Sequence, residues 1–152
     1  MSLWTHVTGV IRIDGLPFPP FEQYTVEKLA EFIGESFPFE KIHKMAMDSY
    51  NNNEPYANPL DNCTLPYGSE GSIDYVIHEY YTGMPWAVVT FWGALRDYDS
   101  PEEVIDWAKK LLDRLQSSGY YVRQFCFTVS NEQRTLELNN SCYEINTDMS
   151  DM

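Results

Sequence analysis

Residues 73–115 read IDYVIHEYYTGMPWAVVTFWGALRDYDSPEEVIDWAKKLLDRL, and the change of period inside this stretch decides the fold. Ile73 to Thr82 and Trp86 to Asp97 alternate as strands do, and the Gly and Pro of Gly83-Met84-Pro85 suit a tight turn, so the two runs form a hairpin. In the first arm Ile73, Tyr75 and Ile77 share a side, opposed by Val76, His78 and Tyr80. In the second, Ala87, Val89, Phe91 and Leu95 oppose Trp86, Val88, Thr90, Trp92 and Arg96. At Ser100 the period becomes helical. Ser100-Pro101-Glu102-Glu103 supplies an N-cap, a proline at the first helical position and the Glu of a reciprocal capping box. Val104, Ile105, Trp107, Ala108, Leu111, Leu112 and Leu115 then form one apolar stripe, and Gly119 follows the last turn as its terminator.

Upstream of the hairpin, Trp4 to Asp14 (WTHVTGVIRID) is β-branched and alternating, with Thr5, Val7, Ile11 and Ile13 against Trp4, His6, Thr8 and Arg12. Consecutive prolines in Gly15 to Pro20 break this strand by removing ladder donors. Val26, Leu29, Ala30, Ile33 and Phe37 recur at helical spacing behind Thr25, which predicts a helix over about residues 26–36 with a threonine cap. Residues 37–72 form a long irregular insertion. Its closing Leu65 to Ser72 has two glycines but lacks the lysine and spacing of a phosphate loop, and it reads as a turn into a strand. Downstream, Tyr120 to Val129 and Thr135 to Leu138 are strands, and residues 139–152 are expected to fray.

Strand, helix, strand, strand, helix, strand is the order of a split βαβ unit. The expected fold is α+β: a single domain over 1–152, a ferredoxin-like two-layer sandwich whose antiparallel sheet carries two helices on one face, plus an extra C-terminal strand.

The 152 residues carry Lys+Arg 10 against Asp+Glu 23, a formal net charge of -13. Such a charge opposes a polyanion, and no segment clusters the basic side chains that phosphate contacts need, so nucleic acid is excluded as a partner. No run approaches the ~18 apolar residues of a bilayer span, and the N-terminus lacks the features of a secretory signal, so a cytoplasmic location is expected with no membrane partner. Cys63, Cys126 and Cys142 form no C-x-x-C pair and read as reduced thiols, Cys126 as a small buried core residue. The three His and three Cys show no metal-ligand spacing, and no metal or other cofactor is expected.

Two helices on one face leave the other face of the sheet without a helix. On the register above it carries Trp4, His6 and Arg12 from the first strand, His78 and Tyr80 from the second, and Trp86, Trp92 and Arg96 from the third. Aromatic rings beside imidazoles and guanidiniums suit a contact surface. Three occupants are open at this point: residues 37–72 folded over the face, a second copy in a homodimer, or a ligand or foreign protein partner. A one-residue slip would exchange the two faces. The alternative to a binding protein is a small-molecule enzyme using His6 and His78, whose imidazoles suit acid–base work, although no nucleophile is evident beside them. A second alternative is an acidic DNA mimic, which requires an uninterrupted row of carboxylates, whereas the acids here are scattered singly or in pairs such as Glu102-Glu103.

Trp4 to Arg12, Leu65 to Ser72 and Gly93 to Tyr98 (GALRDY) resemble blocks in a set of small phage and prophage proteins without established activity. The resemblance spans about two-thirds of the chain in scattered pieces and transfers no catalytic residue. It implies a bacterial cytoplasmic setting and a protein that binds a host component.

Overall fold

The computed structural model describes residues 3–15, 24–34, 65–80, 83–98, 100–140 and 145–148. Its elements are β1 (Trp4–Asp14), α1 (Val26–Ile33), β2 (Ile73–Glu79), β3 (Pro85–Arg96), α2 (Pro101–Ser117), β4 (Tyr121–Ser130), β5 (Arg134–Asn139) and β6 (Ile145–Asp148). The strands form one six-stranded sheet in the order β2-β3-β1-β4-β5-β6, with every neighbouring pair antiparallel. This is an α+β fold with the hairpin and both helices where the periodicity places them.

β1 occupies the middle of the sheet, and alternation of its side chains sets the two faces. Thr5, Val7, Ile11 and Ile13 are buried, whereas His6, Thr8 and Val10 are exposed. At Gly9 the inward position is filled from the neighbouring strand: the Phe127 ring lies where a Cβ would stand. That ring packs on Phe91 with centroids 5.4 Å apart, and Trp107 meets both edge-on. Leu29 and Ile33 of α1 and the whole predicted stripe of α2 join the inward residues of β1, β3, β4 and β5 in one core, so both helices cover the same face of the sheet. Each such aliphatic side chain contributes roughly 1.5–3 kcal/mol of burial free energy.

The helix ends differ from expectation in two places. Thr25 caps α1 through its side chain, which accepts from the Lys28 amide at 3.2 Å, but the helix ends at Gly34, whose φ of 106° turns the chain away. Phe37, expected on the same stripe, lies outside the described residues. At Ser100 the reciprocal capping box does not form. The Ser100 carbonyl, not its hydroxyl, accepts from the Glu103 amide, and the Glu103 carboxylate takes the Tyr98 hydroxyl at 3.1 Å instead. The C-terminus of α2 is as predicted: Gly119 has φ 92°, and the amides of Gly119 and Tyr120 return to the carbonyls of Gln116 and Leu115, a Schellman closure. Tyr120 is thereby pressed into the core against Tyr24 and Phe32, and burial together with the Tyr24 phenol pushes its hydroxyl pKa above the ordinary value of 10.0.

Only 65–72 of the insertion over 37–72 are described. They form a small turn closed by the Tyr67↔Ser72 bridge and by the bond from the Gly68 amide to the Gly71 carbonyl. Leu65 plugs the core, and the tip leans on the end of β3, where Glu70 and Ser69 exchange backbone bonds with Arg96. Within the tail expected to fray, Ile145–Asp148 pairs with β5 as the sheet's last strand.

Candidate functional site: the open face of the sheet

The face turned away from the helices is mapped by the strand registers. Its central row runs Val76, Thr90, Val10, Cys126, Asn139 across β2, β3, β1, β4 and β5. One step toward the β1 N-terminus lies the row Asp74, Trp92, Thr8, Thr128, Glu137, and one step the other way the row His78, Val88, Arg12, Gln124. Val10, Val76 and Trp92 keep 37%, 42% and 43% of their surface in water. Six of the exposed or half-exposed positions in these rows are threonine or valine, beside one tryptophan, the side chains that pack well on a pleated surface. Beside the central row, Val10, Arg12, Val88, Gln124 and Cys126 line an open depression of about 470 Å³.

Of the sequence-predicted site residues, Trp92 stands in the row on one side of the central row, and His78 and Arg12 stand in the row on the other. Trp4, His6 and Arg96 lie at one end of the face. Trp4 opposes Arg96 across the β1–β3 ladder and its ring lies beside the Gly71 turn. Arg96 is tied down by Glu70 at 2.8 Å and Asp97 at 3.8 Å. Arg12, His78 and Tyr80 lie at the other end, where Arg12 is committed to Asp14 at 2.7 Å and Tyr80 is 48% exposed.

Trp86 is not on this face. Ile13 pairs with Ala87 and Asp14 with Pro85, so Trp86 is an extra residue in β3, a bulge that resets the alternation. Its indole points to the helix side, 4.9 Å from the Tyr24 ring and stacked at 6.4 Å on Tyr120. Cys126 departs from expectation in the opposite sense: it is exposed on the open face, because its neighbours Phe127 and, two residues on, Val129 are the ones turned inward. Sequence reasoning also left out the contributions of β4 and β5, although the alternation of Phe125, Phe127 and Val129 with Cys126 and Thr128 carries that signal.

The two candidate imidazoles do not share a site. His6 pairs with Ala94 and His78 with Val88, six residues apart along β3, which separates the imidazoles by roughly 20 Å along the strands. No single small substrate bridges that span. Among the described residues no group of three or more His, Cys, Asp or Glu is arranged to hold a metal ion. On the helix side, the outward positions of α2 interleave Glu102, Glu103, Asp106 and Asp113 with Lys109, Lys110 and Arg114, so the carboxylates there do not form an unbroken row. No described helix is long and apolar enough to cross a membrane. Comparison with protein-family models, curated proteins and solved structures finds no match.

Proposed function

We propose that the chain is a non-enzymatic binding protein that acts through noncovalent contact of its open sheet face with another polypeptide. The observation that carries this reading is the exposure of Val10 and Val76 on either side of Thr90, with Trp92 diagonal to both, on a face that no described element covers. A contiguous apolar patch of this kind marks a contact site more often than it is left to water. The separation of His6 from His78 weighs against the enzyme alternative, and the lysines interleaved on α2 weigh against DNA mimicry. We further read the fold as ferredoxin-like: each helix connects two strands between which a third, antiparallel strand is inserted, as in a split βαβ unit, with β5 and β6 as additions. The resemblance to phage and prophage blocks supports a partner met in a bacterial cytoplasm, as a host component or a second copy.

The test is a photoreactive p-benzoylphenylalanine in place of Tyr80 on the open face, or in place of the exposed Lys110 on α2, in bacterial cells producing the chain. Polypeptide adducts at position 80 at several times the yield at position 110 support the reading. Equal yields at the two positions overturn it.

A further inference from the structure

Electrostatics narrows the choice of polypeptide. Two bodies of charge -13 repel, and they can meet only where each is poor in unbalanced charge. On the open face the two arginines are neutralised locally, Arg12 by Asp14 and Arg96 by Glu70, and Asp74 and Glu137 are the carboxylates in its mapped rows, while much of the described acidity sits on the outward sides of α1 and α2, at Glu27, Glu31, Glu102, Glu103, Asp106 and Asp113. Five strands spaced ~4.8 Å apart and eight residues along β1 give a face of roughly 24 by 26 Å. Allowing for side-chain relief, that is close to the ~800 Å² per partner of a stable interface.

We infer that this face is a two-fold interface between two copies of the chain, with the axis running across the strands along the Val76–Cys126 row. The inference rests on the binding reading above and specifies the partner and register. Rotation about such an axis keeps each strand over its own counterpart and exchanges the rows on either side. It therefore sets the carboxylate of Asp74 over the imidazole of the partner's His78, a hydrogen-bonded polar rim, and the indole of Trp92 over the partner's Val88. Val76 and Val10 meet their own counterparts at the axis. An axis running along the strands midway between β1 and β3 would instead lay the Arg12 guanidinium on Val88 and His78 on Gln124, pairing neither charge nor apolar surface. Charge complementarity thus selects the first arrangement.

That arrangement also brings the two Cys126 side chains face to face. Stacked sheets lie about 10 Å apart, too far for a disulfide but within reach of a short bis-maleimide. The along-strand axis would separate the thiols by roughly 17 Å, beyond that reach.

The experiment uses the full chain carrying Cys63→Ser and Cys142→Ser. Light scattering over a dilution series should show a dimer, and Trp92→Ala should weaken it at least tenfold with thermal unfolding of the dilute protein unchanged. A bis-maleimide spanning 8–10 Å should join two chains through Cys126. Asp74→Lys and His78→Asp should each weaken the dimer about tenfold, and the two together should restore it to within threefold. A Trp92-dependent dimer with neither cross-link nor charge-swap rescue overturns the register and leaves the binding face standing. A monomer at all concentrations, with Cys126 singly alkylated throughout, overturns the second copy, and the photo-adducts at position 80 then decide independently whether the face binds a different polypeptide.

Discussion

Arg12 donates from Nε to the carboxylate of Asp14 at 2.7 Å, and only 3% of that aspartate side chain reaches solvent. The pair stands at the end of β1 where both neighbouring ladders slip, β3 by Trp86 and β4 by Arg123. A carboxylate taken out of water there needs its counter-charge, and Arg12 keeps 31% of its side chain in solvent, so its own desolvation is partial. Arg12→Met should therefore destabilise the fold by about 2–3 kcal/mol, below the ~3–5 kcal/mol of a fully buried pair. Adding Asp14→Asn should recover most of the loss, because the stranded charge is gone. Urea unfolding of the two variants measures this, and equal stabilities for the single and double variants would refute it.

Trp86 and Trp92 lie six residues apart on one strand and face opposite sides, so the same substitution should read out differently at each. Trp86→Ala opens a gap between Tyr24, Tyr120 and the core, and should cost about 3 kcal/mol. Trp92→Ala removes a side chain that already has 43% of its surface in water, and should change monomer stability by less than about 1 kcal/mol while weakening association. Thermal melts of dilute protein separate the two, and a Trp92→Ala melt as depressed as that of Trp86→Ala would show that its indole belongs to the core.

The alternation of β1, β2 and β3 was sufficient to assign both faces of the sheet, and the capped α2 stripe was legible residue by residue, because burial imposes periods of two and about 3.6 on strand and helix. Trp86 escaped that reading for a physical reason. A bulge is a property of two paired strands, and nothing within PWAVVT announces that Pro85, not Trp86, will face Asp14. Cys126 differs from expectation for another reason: the tendency of cysteine to be buried does not override the strand parity that Phe127 and Val129 fix. α1 ends at Gly34, short of the predicted residue 36, because glycine adopts the positive φ that helical spacing alone does not signal. The capping box failed because the nearby Tyr98 hydroxyl, brought in by the turn after β3, takes the carboxylate that the motif assigns to the helix.

Gly71 and Gly83 both hold positive φ, 78° and 87°, but only one is also crowded. A Cβ on Gly71 would overlap the Ala94 carbonyl, part of the rigid β3 backbone, whereas one on Gly83 would meet only the Pro85 ring at 3.7 Å. Gly83→Ala should thus cost about 1 kcal/mol, the left-handed penalty alone. Gly71→Ala should cost at least about 1 kcal/mol more, and it should loosen the Glu70–Arg96 contact by pushing the turn off the strand. Denaturant midpoints compare the two, and indistinguishable midpoints would mean that the turn yields without cost.

Tyr120 gives the fold an alkaline weakness. Burial and the neighbouring Tyr24 phenol hold its hydroxyl above the ordinary 10.0, so the folded state keeps the proton after the unfolded chain has lost it. Below the unfolded value both states are neutral and the full stability is present; as pH rises through the folded value the unfolded state gains by ionising and stability falls. Tyr120→Phe removes this linkage while keeping the ring against Tyr24 and Phe32. Melting temperatures of the two proteins should differ by a constant amount up to about pH 9 and then shift progressively in favour of the variant. Curves that remain parallel to pH 11.5 would show that Tyr120 ionises with equal ease in both states.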